Sequence, residues 1–148
     1  MGIRAVLDNL IVIEAACAIT SPVTVSVKRA YKYIPDRESA LPDTPCWLNG
    51  WSLVNYLRSS AFREQEYDIR AQLAVLDADQ DRAADIASAL YENFLTRLDA
   101  NITLGATINR HDLMGGQPTL AAMTWAGQPY IGIDMHLHVV IKEAATFS

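Results

Sequence analysis

The chain has 148 residues, 51% of them hydrophobic, with 12 basic against 17 acidic side chains and a net charge of −5. That length fits one domain, 1–148, able to bury about two thirds of its unfolded surface. An acidic balance without runs of one sign argues against a nucleic-acid-binding face, which needs clustered Lys and Arg to neutralise phosphates.

Ile3, Val6, Leu7, Leu10, Ile13 and Cys17 recur mostly at spacings of three and four, which predicts an amphipathic helix. Ser21-Pro22 is its expected stop, because proline biases the preceding residue away from helical geometry. The apolar run Leu10 to Ile19 carries Glu14, is too short to span a membrane and lacks a cleavage pattern. Cys17 and Cys46 show no metal-type spacing, and Cys17 reads as a small buried hydrophobe. The expectation is a soluble protein made in a reducing cytoplasm.

Val23 to Tyr33 changes to a period of two, with Val23, Val25, Val27, Tyr31 and Tyr33 on one face and Arg29 interrupting it. Such a face reaches a rim or a subunit contact rather than a featureless core. Pro35 to Pro45 holds three prolines, which lack the amide donor of helices and central strands, and reads as an exposed loop that contacts a neighbouring protein. Cys46-Trp-Leu-Asn begins a short strand. Gly50 to Phe62 follows no single period, although Trp51, Leu53, Val54, Tyr56, Leu57 and Phe62 make it too apolar for a linker.

Arg63 to Leu76 alternates cleanly, with Tyr67, Ile69, Ala71, Leu73 and Val75 opposite Glu64, Glu66, Asp68, Arg70 and Gln72. Asp77-Ala-Asp-Gln-Asp supplies acidic caps for a helix over roughly Asp81 to Asp99. Its buried stripe is Ala83, Ile86, Ala87, Leu90, Tyr91, Phe94 and Leu98. Gly105 to Gln117, with Gly115-Gly116, reads as an irregular connection. Leu120 to Trp125 is a strand, and Gly127-Gln128-Pro129 turns it into the final one, Tyr130 to Lys142. That strand runs roughly 40 Å at about 3.3 Å per residue, a length that suggests a sheet built to meet other copies. The order α-β-β-β-α-β-β predicts an α+β domain, mostly antiparallel, with helices on one face.

Few residues suggest chemistry. Asp134, His136 and His138 share a strand face and form the one constellation with metal-ligand types, which would support a small metal-dependent enzyme. Same-face neighbours about 6.6 Å apart need inward-bent rotamers, and only His111 or Asp112 offers a fourth ligand, so the plainer reading is a polar strand face. Gly115-Gly116 lacks the frame of a phosphate loop, and Ser59 and Ser60 lack a nucleophile elbow. Trp47, Trp51 and Trp125 suit core or interface packing. Glu64, Glu66 and Asp68 form an acidic face that is solvated, borders a channel or meets a basic neighbour. The residues therefore predict no catalytic, cofactor or metal site.

The layout resembles the tail terminator (tail completion) proteins of long-tailed bacteriophages, the lambda-type terminators among them. The resemblance rests on the element order, on Val27-Lys-Arg-Ala-Tyr-Lys-Tyr-Ile-Pro35 with the loop ending Leu41-Pro-Asp-Thr-Pro-Cys-Trp-Leu48, on Tyr67-Asp-Ile-Arg-Ala-Gln-Leu73 with its following helix, and on the closing strand. It covers nearly the whole chain, and it implies no residue-level active site. It does imply a structural virion protein of the tail or neck, assembled in the bacterial host cytoplasm. Such a protein forms a ring, expected to be a hexamer, that caps the tail tube, ends its growth and receives the head. Its implied partners are further copies of itself, the tail-tube protein and a head–tail connector, with no membrane involved. A ring needs heterologous contacts; unblunted strand edges suit them, and an acidic inner wall lets DNA pass without specific binding. The alternatives are another neck protein of the same virion or the metal-dependent enzyme.

Overall fold

The computed structural model describes residues 2–41, 43–101, 104, 110–113 (main chain only) and 118–144. Its elements in chain order are α1 (Ile3–Ala15), β1 (Ala18–Ile19), β2 (Val25–Ser26), β3 (Arg29–Tyr31), β4 (Cys46–Arg58), β5 (Phe62–Val75), α2 (Gln80–Asp99), β6 (Arg110–Leu113), β7 (Thr119–Trp125) and β8 (Gln128–Ala144). The α+β class and the order read from the sequence hold, with Val23 to Tyr33 divided in two and short strands β1 and β6 added.

One six-stranded sheet runs β3-β4-β5-β8-β6, with β7 also on β8; every pair is antiparallel except β3 with β4. β8 is its spine. β5 occupies one edge of β8 from Ile131 to Ala144, while β7 and then β6 take the other. The final strand is therefore central, and its length is used by pairing inside the chain rather than offered to another copy.

Strand alternation sorts the side chains into two cores. On one face α1 and α2 cover Trp47, Ile69, Ala71, Leu73, Ile133, Met135, Leu137 and Val139, all buried. Burial of each Ile, Leu, Met or Val among them contributes roughly 1.5–3 kcal/mol. α2 meets the sheet with Ala83, Ile86, Ala87, Leu90, Phe94 and Leu98, and Asp79 caps it by accepting from the amides of Asp81 and Arg82. Tyr91, read into that stripe, is only partly buried.

Among the described residues the other face is covered at one end only. There Ile34 and, from the proline-rich segment, Leu41 close a small core over Cys46, Leu48, Ala74, Met123, Trp125 and Tyr130. The segment is irregular, as its prolines require, with 36–40 exposed. It is anchored to its own domain: Trp125 Nε1 donates to Pro35 O at 3.4 Å and the Ala126 amide to Arg37 O at 2.7 Å. At Gly132 the same face has no room for a side chain, since a Cβ there would clash with the main-chain oxygen of Leu73 on neighbouring β5.

Several local boundaries differ from the sequence reading. The strand beginning at Cys46, expected to be short, runs through the unassigned stretch to Arg58, and β8 begins at Gln128, inside the expected turn. α1 ends at Ala15, before Ser21-Pro22, and Cys17 lies buried just beyond it, its thiol donating to Ile13 O at 3.4 Å. Val27 joins the helix-side core and Tyr31 the loop-side core, so Val23 to Tyr33 cannot be one strand. Exposed Arg29, between them, lays its guanidinium over the Tyr31 ring at 4.5 Å. β6 falls within Gly105 to Gln117, which read as wholly irregular; Gly115-Gly116 lies outside the described residues.

Candidate functional site

Asp134, His136 and His138 project from β8 onto the sheet face opposite the helices, and each reaches a side chain of β5. Asp134 accepts from Arg70 through two bonds, 3.1 and 2.8 Å; His136 Nδ1 lies 2.9 Å from Asp68 and His138 Nε2 3.3 Å from Glu66. The directly opposed partners of Asp134, His136 and His138 are Gln72, Arg70 and Asp68. Every contact is thus displaced by the same diagonal step, a pairing that sheet twist brings within reach. Lys142 continues it by lying over the ring of Phe62 at 4.1 Å, again one step diagonal to its opposite, Glu64.

This arrangement changes the reading of both strands. The acidic row Glu64, Glu66 and Asp68 is no bare acidic wall, because Glu66 and Asp68 are faced by histidines. Burial acts to raise the Asp134 carboxyl, but the hydrogen bond and charge of Arg70, joined by a hydrogen bond from Gln72 and the nearby His136, together hold it below its ordinary value. Among the described residues no group of three or more His, Cys, Asp or Glu side chains is placed to hold a metal ion. The side chains of His111 and Asp112 lie outside that description. Beside the ladder is an open cavity of about 770 Å³, lined in part by Arg37, Arg70, Gln72, Thr119, Asp134 and His136.

On the helix side Asn49 Nδ2 donates to Glu14 Oε1 at 2.7 Å and to Tyr31 O at 2.9 Å, all within the fully buried seam between α1 and β4. Glu14 Oε2 and Asn49 Oδ1 have no partner there. Burial pushes the Glu14 carboxyl up to about 8, against the pull of the Asn49 hydrogen bond. A proton on Glu14 supplies the donor this acceptor-rich pair lacks. The signal in the sequence was a carboxylate inside an apolar helical run.

The remaining candidates resolve simply. Ser59 builds the β4–β5 turn, its Oγ accepting from the amides of Ala61 and Phe62 at 3.2 and 3.1 Å. Trp47 is buried against Phe94 with ring centroids 4.8 Å apart, and Trp125 meets Tyr130 edge-on at 5.8 Å. Cys17 and Cys46 are free and buried, and burial pushes both thiols up to about 12.

Trp51 is different. It lies on the outer half of β4, where Leu53, Val54, Tyr56 and Leu57 are also about half exposed. β3 pairs with β4 only at Cys46 to Leu48. Among the described residues, no strand pairs with that side of β4 from Gly50 to Leu57. A register shift between Leu53 and Asn55 puts a bulge at Val54, so Tyr56 returns to the face of Trp51 and Leu53. No known family model and no curated protein matches this chain.

Proposed function

We propose that this chain is a structural virion protein that forms a ring, six copies in the favoured arrangement, at the head-proximal end of a phage tail. It caps the tail tube, ends its polymerisation and presents the surface to which the head connector binds. Besides other copies its partners are the tail-tube protein and a head–tail connector, and DNA passes through the ring without specific binding. It acts in the tail or neck of the virion, after assembly in the bacterial host cytoplasm, and needs no cofactor.

The observation that carries this reading is the outer half of β4, which no described residue covers, on a sheet whose element order resembles the tail terminators. An apolar strand with an open edge calls for a partner, and repeated heterologous contact closes a ring. The test is electron microscopy of tails assembled with and without the chain. Its removal is expected to leave tubes of uncontrolled length. Normal tails that join heads would refute the proposal; tails of fixed length that fail only at joining would move the chain to the neck.

A further inference from the structure

Natural sheets protect their edges with charge, proline or short strands, because bare amides and carbonyls recruit other strands. The outer half of β4, Gly-Trp-Ser-Leu-Val-Asn-Tyr-Leu from Gly50 to Leu57, carries no charge and no proline. Among the described residues its only device is the bulge at Val54. Five of the nine large hydrophobic side chains exposed among the described residues lie in this one stretch. Counted over both faces of the strand, half-exposed side chains of that size present on the order of 400 Å², the scale of apolar patches that mark interaction sites. That is about half of one side of a standard interface, roughly 800 Å² per partner, with the strand edge itself to be added.

A strand is the partner that completes the ladder of such an edge, and the chain's own long strands are engaged. β5 is held between β4 and β8, and β8 between β5 and the β6–β7 edge. The complement is the opposite edge of the same sheet, where β6 pairs only with β8 among the described residues. Leu53, Tyr67, Val139 and His111 lie on one line across the sheet, so β4's open half and β6 are at the same level. The three antiparallel steps from β4 to β6 make these edge strands run in opposite directions. A second copy laid alongside in the same orientation then meets β4 with an antiparallel edge.

We infer that the open edge of β4 is the docking surface for a second copy of this chain, which adds its β6 edge and buries the Trp51, Leu53 and Tyr56 stripe. The head-to-tail sense rests on the ring proposed above; the surface itself does not. Sedimentation equilibrium of the full chain, up to millimolar concentration, measures the association. Leu53→Lys or Tyr56→Lys should weaken it by about tenfold or more, the equivalent of about 1.4 kcal/mol. Both side chains are half exposed, so thermal melts should be unchanged. Val12→Lys, at an exposed site on α1, should associate as wild type does. A wild-type monomer throughout, or Lys variants that associate normally, would overturn the inference.

Cysteines placed singly at Ser52, Val54 or Asn55, and in a second series at Arg110, His111 or Asp112, report the sense of pairing. The native thiols are buried and do not compete. Disulfides are expected only when the two series are mixed; dimers within the β4 series alone would overturn the head-to-tail arrangement. Tail length reads the role of the ring and solution association reads this edge, so either can fail without the other.

Discussion

Trp47 and Trp51 stand on the same strand and the same face, yet Trp47 is fully buried and Trp51 is 49% exposed. Around Trp47 the sheet is sandwiched, with α1 and α2 on one side and the proline-rich segment on the other. Around Trp51 the helix-side apolar stripe continues on β4 after the helices have stopped covering it. Sequence hydrophobicity does not distinguish the two ends. Coverage does, and the uncovered end has the composition of a core without its packing.

Substitutions sharpen that contrast, beginning with the covered end. Leu90 is fully buried against the sheet, and Leu90→Ala should cost about 2–5 kcal/mol in chemical denaturation. A loss below the lower figure would show that α2 packs loosely.

The Glu14 seam should respond to pH. The native carboxyl keeps its proton to about pH 8, whereas the unfolded one releases it near its ordinary value of 4.5. The stability this group contributes is therefore fully present below 4.5 and is lost as pH rises toward and through 8. Glu14→Gln should remove that slope and exceed wild type by on the order of 2–4 kcal/mol at alkaline pH. Urea melts across this range check it; parallel curves for the two proteins would contradict a buried neutral acid.

Gly132→Ala drives a methyl group into the Leu73 carbonyl, backbone that cannot swing aside. A cost of about 1–3 kcal/mol or more is expected, together with faster amide exchange along β5 and β8. The ladder matters less. The Arg70–Asp134 pair is partly exposed, and a double-mutant cycle on it should return about 0.2–1 kcal/mol. At the uncovered end Leu53→Ala should leave monomer stability within about 0.5 kcal/mol. A large loss there would mean that the outer half of β4 is already part of the monomer's core.

The sequence made some of these features plain and hid others for physical reasons. α2, β5 and β8 were legible because each keeps one period over its whole length and buries one face. β4 was not, because the bulge at Val54 shifts the alternation, leaving Trp51, Leu53 and Tyr56 on one face at unequal spacing. Val23 to Tyr33 looked like one strand because apolar residues alternate on both sides of Arg29, although the two halves serve opposite cores. Asp134, His136 and His138 were found, but their partners were not. Asp68, Glu66 and Arg70 are more than sixty positions earlier in the chain, and only the β5–β8 register supplies the diagonal. Glu14 stood out as a lone carboxylate, while Asn49, its partner, had no signal of its own.

That register has a mechanical consequence. β5 and β8 oppose each other over fourteen consecutive residue pairs, Phe62 with Ala144 through Val75 with Ile131. A pull along the strand axis loads this whole row in shear, so its bonds share the force instead of opening in turn like a zip. Tension across the sheet, from β4 toward β6, would peel one strand from the next. The domain is therefore stiffest along β8, and a load transmitted in that direction would be carried by the part of the fold least able to slip.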